Sequence, residues 1–354
     1  MAVYAATIVS FEPRPVISFQ DGSSVYAQAF NPSWVASSAG SGGQDGLLVR
    51  VQNCSVAEPG VCSACSGAGS RASRLAFVQP TGRRRSLPLE TNASSPQPPR
   101  FERIVESSVV FGPHDNTDNY GTEDPRLVFD PTTGVYHLFY TSYNSGHAAG
   151  FPRVSLCHAS ALNPTVIDGW SRHGSVGLGE NSKSGAVLLG HDRTAPHRGE
   201  HLLFWGSGTI RVSRSRNLSA WDRGEVFLTN TSWGNPHVES GPPPMKLSTG
   251  DYIAFINSWS ASFPRPPGYQ PGWVVLRGSD PTKIVAQAAK PLWSPERAPW
   301  MTGAAPALCN VPNVAFVEAC VPTGRRPDEF RLFFGGADAV VGSAVVRIEL
   351  IAAS

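Results

Sequence analysis

Charge is scarce in this sequence, long apolar runs are absent, and no segment carries a sustained helical period with caps. Charged residues make up 16% of the 354, against the ~25% of an average soluble domain. Lys+Arg is 29 and Asp+Glu 27, a net charge of +2, so there is no electropositive excess of the kind a nucleic acid or an anionic membrane selects. The short run "GRRRS" around Arg84 lies in polar sequence and reads as a solvated loop. No stretch approaches the ~20 apolar residues of a membrane helix. The N-terminus, "MAVYAATIVSFEPRPVISF", has no basic leader and no clean cleavage site, which makes it a poor signal peptide. Cysteines number six. Cys54, Cys62 and Cys65 cluster without a fourth ligand at zinc spacing, so no metal site is expected, and a loop disulfide would need an oxidising compartment. Asn-x-Ser/Thr triplets begin at Asn53, Asn92, Asn217 and Asn230; such triplets suit a secreted chain but also arise by chance, and the compartment stays open.

What the sequence does have is turns and short apolar runs. Gly 35 and Pro 31 favour many short strands. Five runs resemble one another: "GLLVRVQN", "YHLFYTSY", "HLLFWGSG", "YIAFINSW" and "RLFFGGAD". Four follow a turn-like lead such as "PTTGV" or "LSTGD", as the second strand of a hairpin would. A second repeat places Trp170 of "HASALNPTVIDGWSRHGSV" and Trp221 of "SRSRNLSAWDRGEVF" 51 positions apart. Strand-only repeats of ~40–50 residues read as propeller blades, and a two-sheet sandwich gives no reason for a recurring unit. The expected fold is all-β: one five-bladed β-propeller domain over residues 1–354, with a Gly/Ser/Pro-rich, flexible insertion at 53–100.

In a propeller the inner strands converge on the axis. Treating the five runs as those strands collects Arg50, Tyr140, Tyr143, Trp205, Asn257 and Asp338. The motif "GTEDPR" adds Glu123, Asp124 and Arg126, and "AFNPSW" adds Asn31. Carboxylates, amides, Arg and aromatics around one axis suit a sugar, whose hydroxyls need dense hydrogen bonding and whose rings present apolar faces. Tyr140 and Trp205 fit the core as readily as a stacking platform.

These residues carry a family resemblance. "AQAFNPSWV", "GLLVRVQ", "GTEDPRLVFD", "NSKSGAVLL", "VESGPPPMKLSTGDYIAFINSW" and "FFGGADAVVGSA" resemble, in order, segments of glycoside hydrolase family 130, the five-bladed mannoside phosphorylases and β-mannosidases. The resemblance implies that Asp124 is the general acid, with a substrate hydroxyl as a possible relay, and that Glu123 and Arg126 shape that corner. It implies a sugar held by Asn31, Arg50 and Asp338, with Tyr143 and Asn257 also facing substrate. Lys183, with Arg50, would face inorganic phosphate or its replacement. No metal or other cofactor is implied; the partner is an oligosaccharide or glycan, and the oligomeric state is left open.

Phosphate is already an anionic nucleophile, so phosphorolysis needs a proton donor but no protein base. Inverting hydrolysis needs a second carboxylate ~6.5–9.5 Å away. Family phosphorylases often have His where this chain has Asn257, and an Arg where it has Val154, with Arg153 one residue off. A one-residue slip on a strand reverses the face, and losing bidentate Arg contacts weakens phosphate binding. The balance leans to hydrolysis, with Glu239 or Glu180 as the water-activating base. The alternatives are a non-catalytic glycan-binding propeller and a family 43/32-like furanosidase.

Overall fold

The computed structural model describes residues 3–19, 21–53, 72–81, 99–115, 118–144, 154–179, 182–190, 199–260, 268–303 and 310–352. Among them the chain opens on strand β1 (Val3–Phe11). Blade one follows with β2 (Gln28–Val35), β3 (Gly46–Gln52), β4 (Arg74–Val78) and β5 (Val109–Phe111). Blade two is β6 (Gly121–Asp130), β7 (Val135–Tyr143), β8 (Val154–Ala161) and β9 (Trp170–Ser175). Blade three is β10 (Ala186–Leu188), β11 (His201–Trp205), β12 (Ile210–Ser215) and β13 (Glu225–Leu228). Blade four is β14 (His237–Ser240), β15 (Met245–Lys246), β16 (Tyr252–Ser260), β17 (Gly268–Arg277) and β18 (Asp280–Gln287). Blade five is β19 (Ala315–Pro322), β20 (Glu329–Gly336) and β21 (Val340–Ala352), with β1 as its outermost strand. The five sheets form a five-bladed propeller, and the β1–β21 pairing closes the ring with the two ends of the chain.

The five recurring runs are β3, β7, β11, β16 and β20. They are the second strands of their blades; the innermost are β2, β6, β10, β14 and β19. Their uniform apolarity has a simple cause. Successive side chains point to opposite faces of a strand, and each face of a second strand is buried against a different neighbouring blade. In β3, Leu47, Val49 and Val51 pack toward blade five, while Leu48 packs toward blade two. In β16, Ile253 and Phe255 pack toward blade five, and Ala254 and Ile256 toward blade three. A strand buried on both faces reads as a continuous apolar run. The inner strands are shorter or more polar because one end meets the axial site.

Within the stretch read as an insertion, "RLAFV" is the third strand of blade one, β4, and pairs with β3. Residues 54–71 and 82–98 lie outside the described residues, as do Cys54, Cys62, Cys65, Cys309 and Asn92. Among the described residues, Cys157 and Cys320 form no disulfide and are buried. Among the described residues, no helix is long and apolar enough to cross a membrane.

Candidate active site

Three inner strands carry a bulge near the axis. The register slips between Phe30 and Pro32 in β2, between Glu123 and Arg126 in β6, and between Val317 and Ala319 in β19. A bulge re-aims a side chain that the pleat would send elsewhere. The first two turn Asn31 and Asp124 toward each other: Asn31 Nδ2 donates to Asp124 Oδ1 at 2.8 Å. Both residues have a left-handed backbone (φ 46° and 47°), as do Ser184 (55°) and Asp338 (48°). Non-glycine residues held there store strain, and such strain concentrates at functional sites. Gly335 makes the arrangement possible, because a Cβ on it would lie 2.1 Å from Asn31 Oδ1.

Arg50, from β3, is the hub of this corner. Its NH1 donates to Asp124 Oδ1 at 2.9 Å and its NH2 to Glu123 Oε1 at 2.7 Å, while Nε reaches Ser73 Oγ at 3.2 Å. Ser73 in turn donates to Gln52 Oε1 at 2.7 Å. The guanidinium lies 4.6 Å from the Phe30 ring centroid. Asp338, in the turn between β20 and β21, interacts electrostatically with Arg50, Asp124 and Lys183. Tyr143, at the end of β7, is half-buried beside Tyr120, with ring centroids 5.8 Å apart.

Across the axis, Lys183 and Glu239 form a second corner. Lys183 Nζ is 3.2 Å from Glu239 Oε1. The same oxygen accepts from Tyr269 OH at 2.6 Å and meets His237 Nε2 at 3.0 Å, with Ser207 Oγ at 3.3 Å; Ser184 Oγ donates to Oε2 at 2.6 Å. The Glu239 side chain is 1% exposed, whereas Lys183 keeps 29% and His237 33%. His237, Tyr269, Ser184 and Ser207 were not singled out in the sequence. His237 was legible there, since it stands two residues before Glu239 on one strand and so shares its face.

Burial raises every carboxyl in this cluster, and the neighbouring charges decide the outcome. Glu239 ends well below the usual carboxylate range, because Lys183, His237, Ser184 and Tyr269 outweigh its burial. Asp124 is also lowered: burial opposes, but Arg50, Arg126 and Lys183 prevail. Glu123 is raised by burial and by Asp124, despite Arg50. Asp338 is pushed up to about 7, by burial first, against the pull of Arg50. Lys183 is raised, since Glu239 and Asp124 outweigh burial.

Two sequence candidates have other work. Arg126 is fully buried: it donates to the backbone oxygens of Gly241 (3.0 Å), Ser240 (3.0 Å) and Asp124 (2.9 Å), and its NH1 lies 2.8 Å from Glu318 Oε1. Its partner is Glu318 rather than Glu123. It ties blade two to blades four and five under the site and is unavailable to substrate. Asn257 is equally committed, with Nδ2 donating to Val317 O at 3.0 Å and Oδ1 accepting from Val317 N at 2.8 Å. An amide with both ends on backbone of the next blade is a clamp, not a sugar ligand. Tyr140 and Trp205 lie in the core. Glu180 and Arg153 fall outside the described residues. Two large cavities, one between blades one and two and one beneath the axis, are not lined by Arg50, Asp124, Lys183 or Glu239; the buried charges locate this site, not cavity volume.

The sequence profile of glycoside hydrolase family 130, described as beta-1,4-mannooligosaccharide phosphorylase, matches residues 91–353. The chain belongs to glycoside hydrolase family 130. Members of family 130 are glycoside phosphorylases or hydrolases. The chain is 27% identical, over 65% of its length and 69% of the relative's, to a 1,2-beta-oligomannan phosphorylase of Thermoanaerobacter sp. (strain X514). Among solved structures, it resembles a family 130 glycoside hydrolase targeting beta-1,2 mannosidic linkages in Candida mannan, with a TM-score of 0.66, 21% identity, and 96% and 94% of the two chains covered. The beta-1,2-mannobiose phosphorylase of Listeria innocua, in complex with beta-1,2-mannobiose, gives a TM-score of 0.64 at 16% identity over 96% of each chain. At these identities the structures support the fold; family membership rests on the profile.

Proposed function

We propose that this family 130 protein is an inverting β-mannosidase, which cleaves a β-mannosidic bond with water. Asp124 delivers the proton to the leaving oxygen, directly or through a sugar hydroxyl. Glu239 orients the attacking water and takes its proton late, once the new bond to the anomeric carbon has made that proton acidic enough for so weak a base. Asn31, Arg50, Glu123 and Asp338 hold the sugar whose bond breaks.

One observation carries the choice of water: the Lys183–Glu239 pair at 3.2 Å. Phosphate needs surplus positive charge where it docks. Here the lysine facing that place is already neutralised by a buried, ionised carboxylate. A phosphate beside Glu239 would meet like charge in a poorly hydrated pocket; water carries no such penalty. Asp124 cannot act as an isolated acid, since Arg50, Arg126 and Lys183 favour its ionised form against burial. Three carboxyls around one guanidinium resist ionising together. Asp338, pushed up to about 7 by burial against the pull of Arg50, can therefore keep a proton in the cluster near neutrality, and a bound sugar that expels water shifts the balance toward a protonated Asp124. Bond cleavage transfers that proton to the leaving oxygen as the water oxygen joins the anomeric carbon from the opposite face.

Replacing Asp124 by Asn is expected to lower turnover about 10²–10⁴-fold, the usual contribution of a positioned acid, while leaving the folded state intact. Proton NMR of the released mannose should show the α anomer first. Near-full activity of that variant, or the β anomer first, would sink the assignment. Phosphorolysis is the second reading, favoured by the partial exposure of the Lys183 ammonium and by the phosphorylase among the relatives.

A further inference from the structure

The Trp repeat leaves one residue without an assigned task. Trp170 and Trp221 occupy the same place in the repeat, yet their surroundings differ. The Trp221 indole N–H donates to Leu218 O at 3.1 Å, and its ring packs edge-on to Phe139 at 6.0 Å. The Trp170 ring packs edge-on to Phe111 at 5.3 Å, but among the described residues its buried indole N–H has no hydrogen-bond partner. Six residues separate Asn163 from Trp170, whereas three separate Asn217 from Trp221. The longer connection forms an extra turn, Ile167–Gly169, and leaves Val166 45% and Ile167 60% exposed. Trp170 and Ile167 both line a cleft of about 840 Å³ between blades one and two.

Both arginines that line this cleft are paired. Arg74 lies 2.5 Å from Glu106, and Arg172 lies 2.7 Å from Asp118. With Asp168 also on the wall, neither arginine among the described lining residues is left free for an anion. Apolar surface from Trp170 and Ile167, rimmed by planar charged groups with hydrogen-bonding edges, is the chemistry that holds a neutral, hydroxyl-rich ring. The cleft backs onto the active-site corner. Ser73 bridges to Gly121 and turns its hydroxyl to Glu123, while its neighbours Ala72 and Arg74 face the cleft.

We propose that the cleft between blades one and two is a second glycan-binding site, separate from the catalytic pocket, which retains a neutral polysaccharide against the enzyme. The choice of mannan as its ligand rests on the proposed function; the cleft itself does not.

Native affinity electrophoresis in gels containing β-1,2- or β-1,4-linked mannan tests this, with Asp124→Asn as the parent so that glycan is not consumed. The parent is expected to be retarded in at least one gel. Adding Trp170→Ala should weaken that binding about five-fold, in line with the loss of one aromatic platform. Ile167→Asp, at an exposed position that does not endanger folding, should do the same. Equal retardation of parent and both double variants, or no retardation of the parent, overturns the second site. Cleavage of a mannobiose by the chain with Asp124 intact is scored separately. Its absence would refute the proposed reaction without altering what the gels say about the cleft.

Discussion

Asp124 is held by two opposed arrangements. Its backbone sits in the left-handed region, while Asn31, Arg50 and the Arg126 contact to its carbonyl fix both ends of the residue. Strain of this kind persists only when surrounding bonds over-determine it. Gly335→Ala is therefore expected to displace Asn31 and lower kcat/KM tenfold or more, about the effect of misplacing a catalytic group, with little loss of stability. A variant with unchanged kinetics would show that the Asn31–Asp124 bond is incidental. Asn257→Ala should behave in the opposite way. Losing two hydrogen bonds to buried backbone should lower unfolding stability by about 1–3 kcal/mol, seen as an earlier denaturant midpoint, while KM stays unchanged. A raised KM would return Asn257 to the substrate contacts.

At the scale of the strand, the sequence was most legible where burial is symmetrical. The second strands repeat because each feeds two blade interfaces, so their apolar runs and turn leads survive as a pattern. The inner strands, which carry the chemistry, were harder to read. A bulge interrupts period-two alternation in β2, β6 and β19, so alternation could not say which member of "GTEDPR" faces the pocket. Family resemblance singled out Asp124, but nothing local marked Arg126 as the one turned under it. Glu318 meets Arg126 only through closure of the ring, and Tyr269 meets Glu239 across the intervening strand β16 of their own blade. The Arg126–Glu318 pair makes a direct prediction. Arg126→Met leaves a buried carboxyl without its cation and should destabilise the fold by about 3–5 kcal/mol, part of which Glu318→Leu in the same chain recovers. Unchanged melting of Arg126→Met would mean the pair does not join the blades.

Over the whole molecule, the ring is closed by β1 against β21, and the blades are joined by apolar interfaces with a few buried polar groups between them. One such group is pH-sensitive. His137 Nδ1 lies 3.1 Å from His158 Nε2, and His173 stacks near His158 with centroids 4.5 Å apart. Burial lowers His137 to about 4 and His158 to about 3, with His173 adding to both, His201 adding to His137, and Asp130 opposing at His137. Unfolded histidine titrates near ~6.5. Below that pH the unfolded chain binds protons that the folded chain refuses, so the folded state loses stability as pH falls from about 6.5 toward 4. A His158→Gln variant lacks one such site. Its stability relative to the natural sequence should rise across that window, as judged by denaturant melts at stepped pH; a constant difference would contradict the linkage.

The central claim is that the Lys183–Glu239 corner accepts water rather than phosphate, and product analysis with and without phosphate tests it most directly. Incubated with a β-linked manno-oligosaccharide, the enzyme is predicted to release free mannose at the same rate in both conditions and to form no mannose 1-phosphate. Turnover that requires phosphate and yields mannose 1-phosphate would contradict the account.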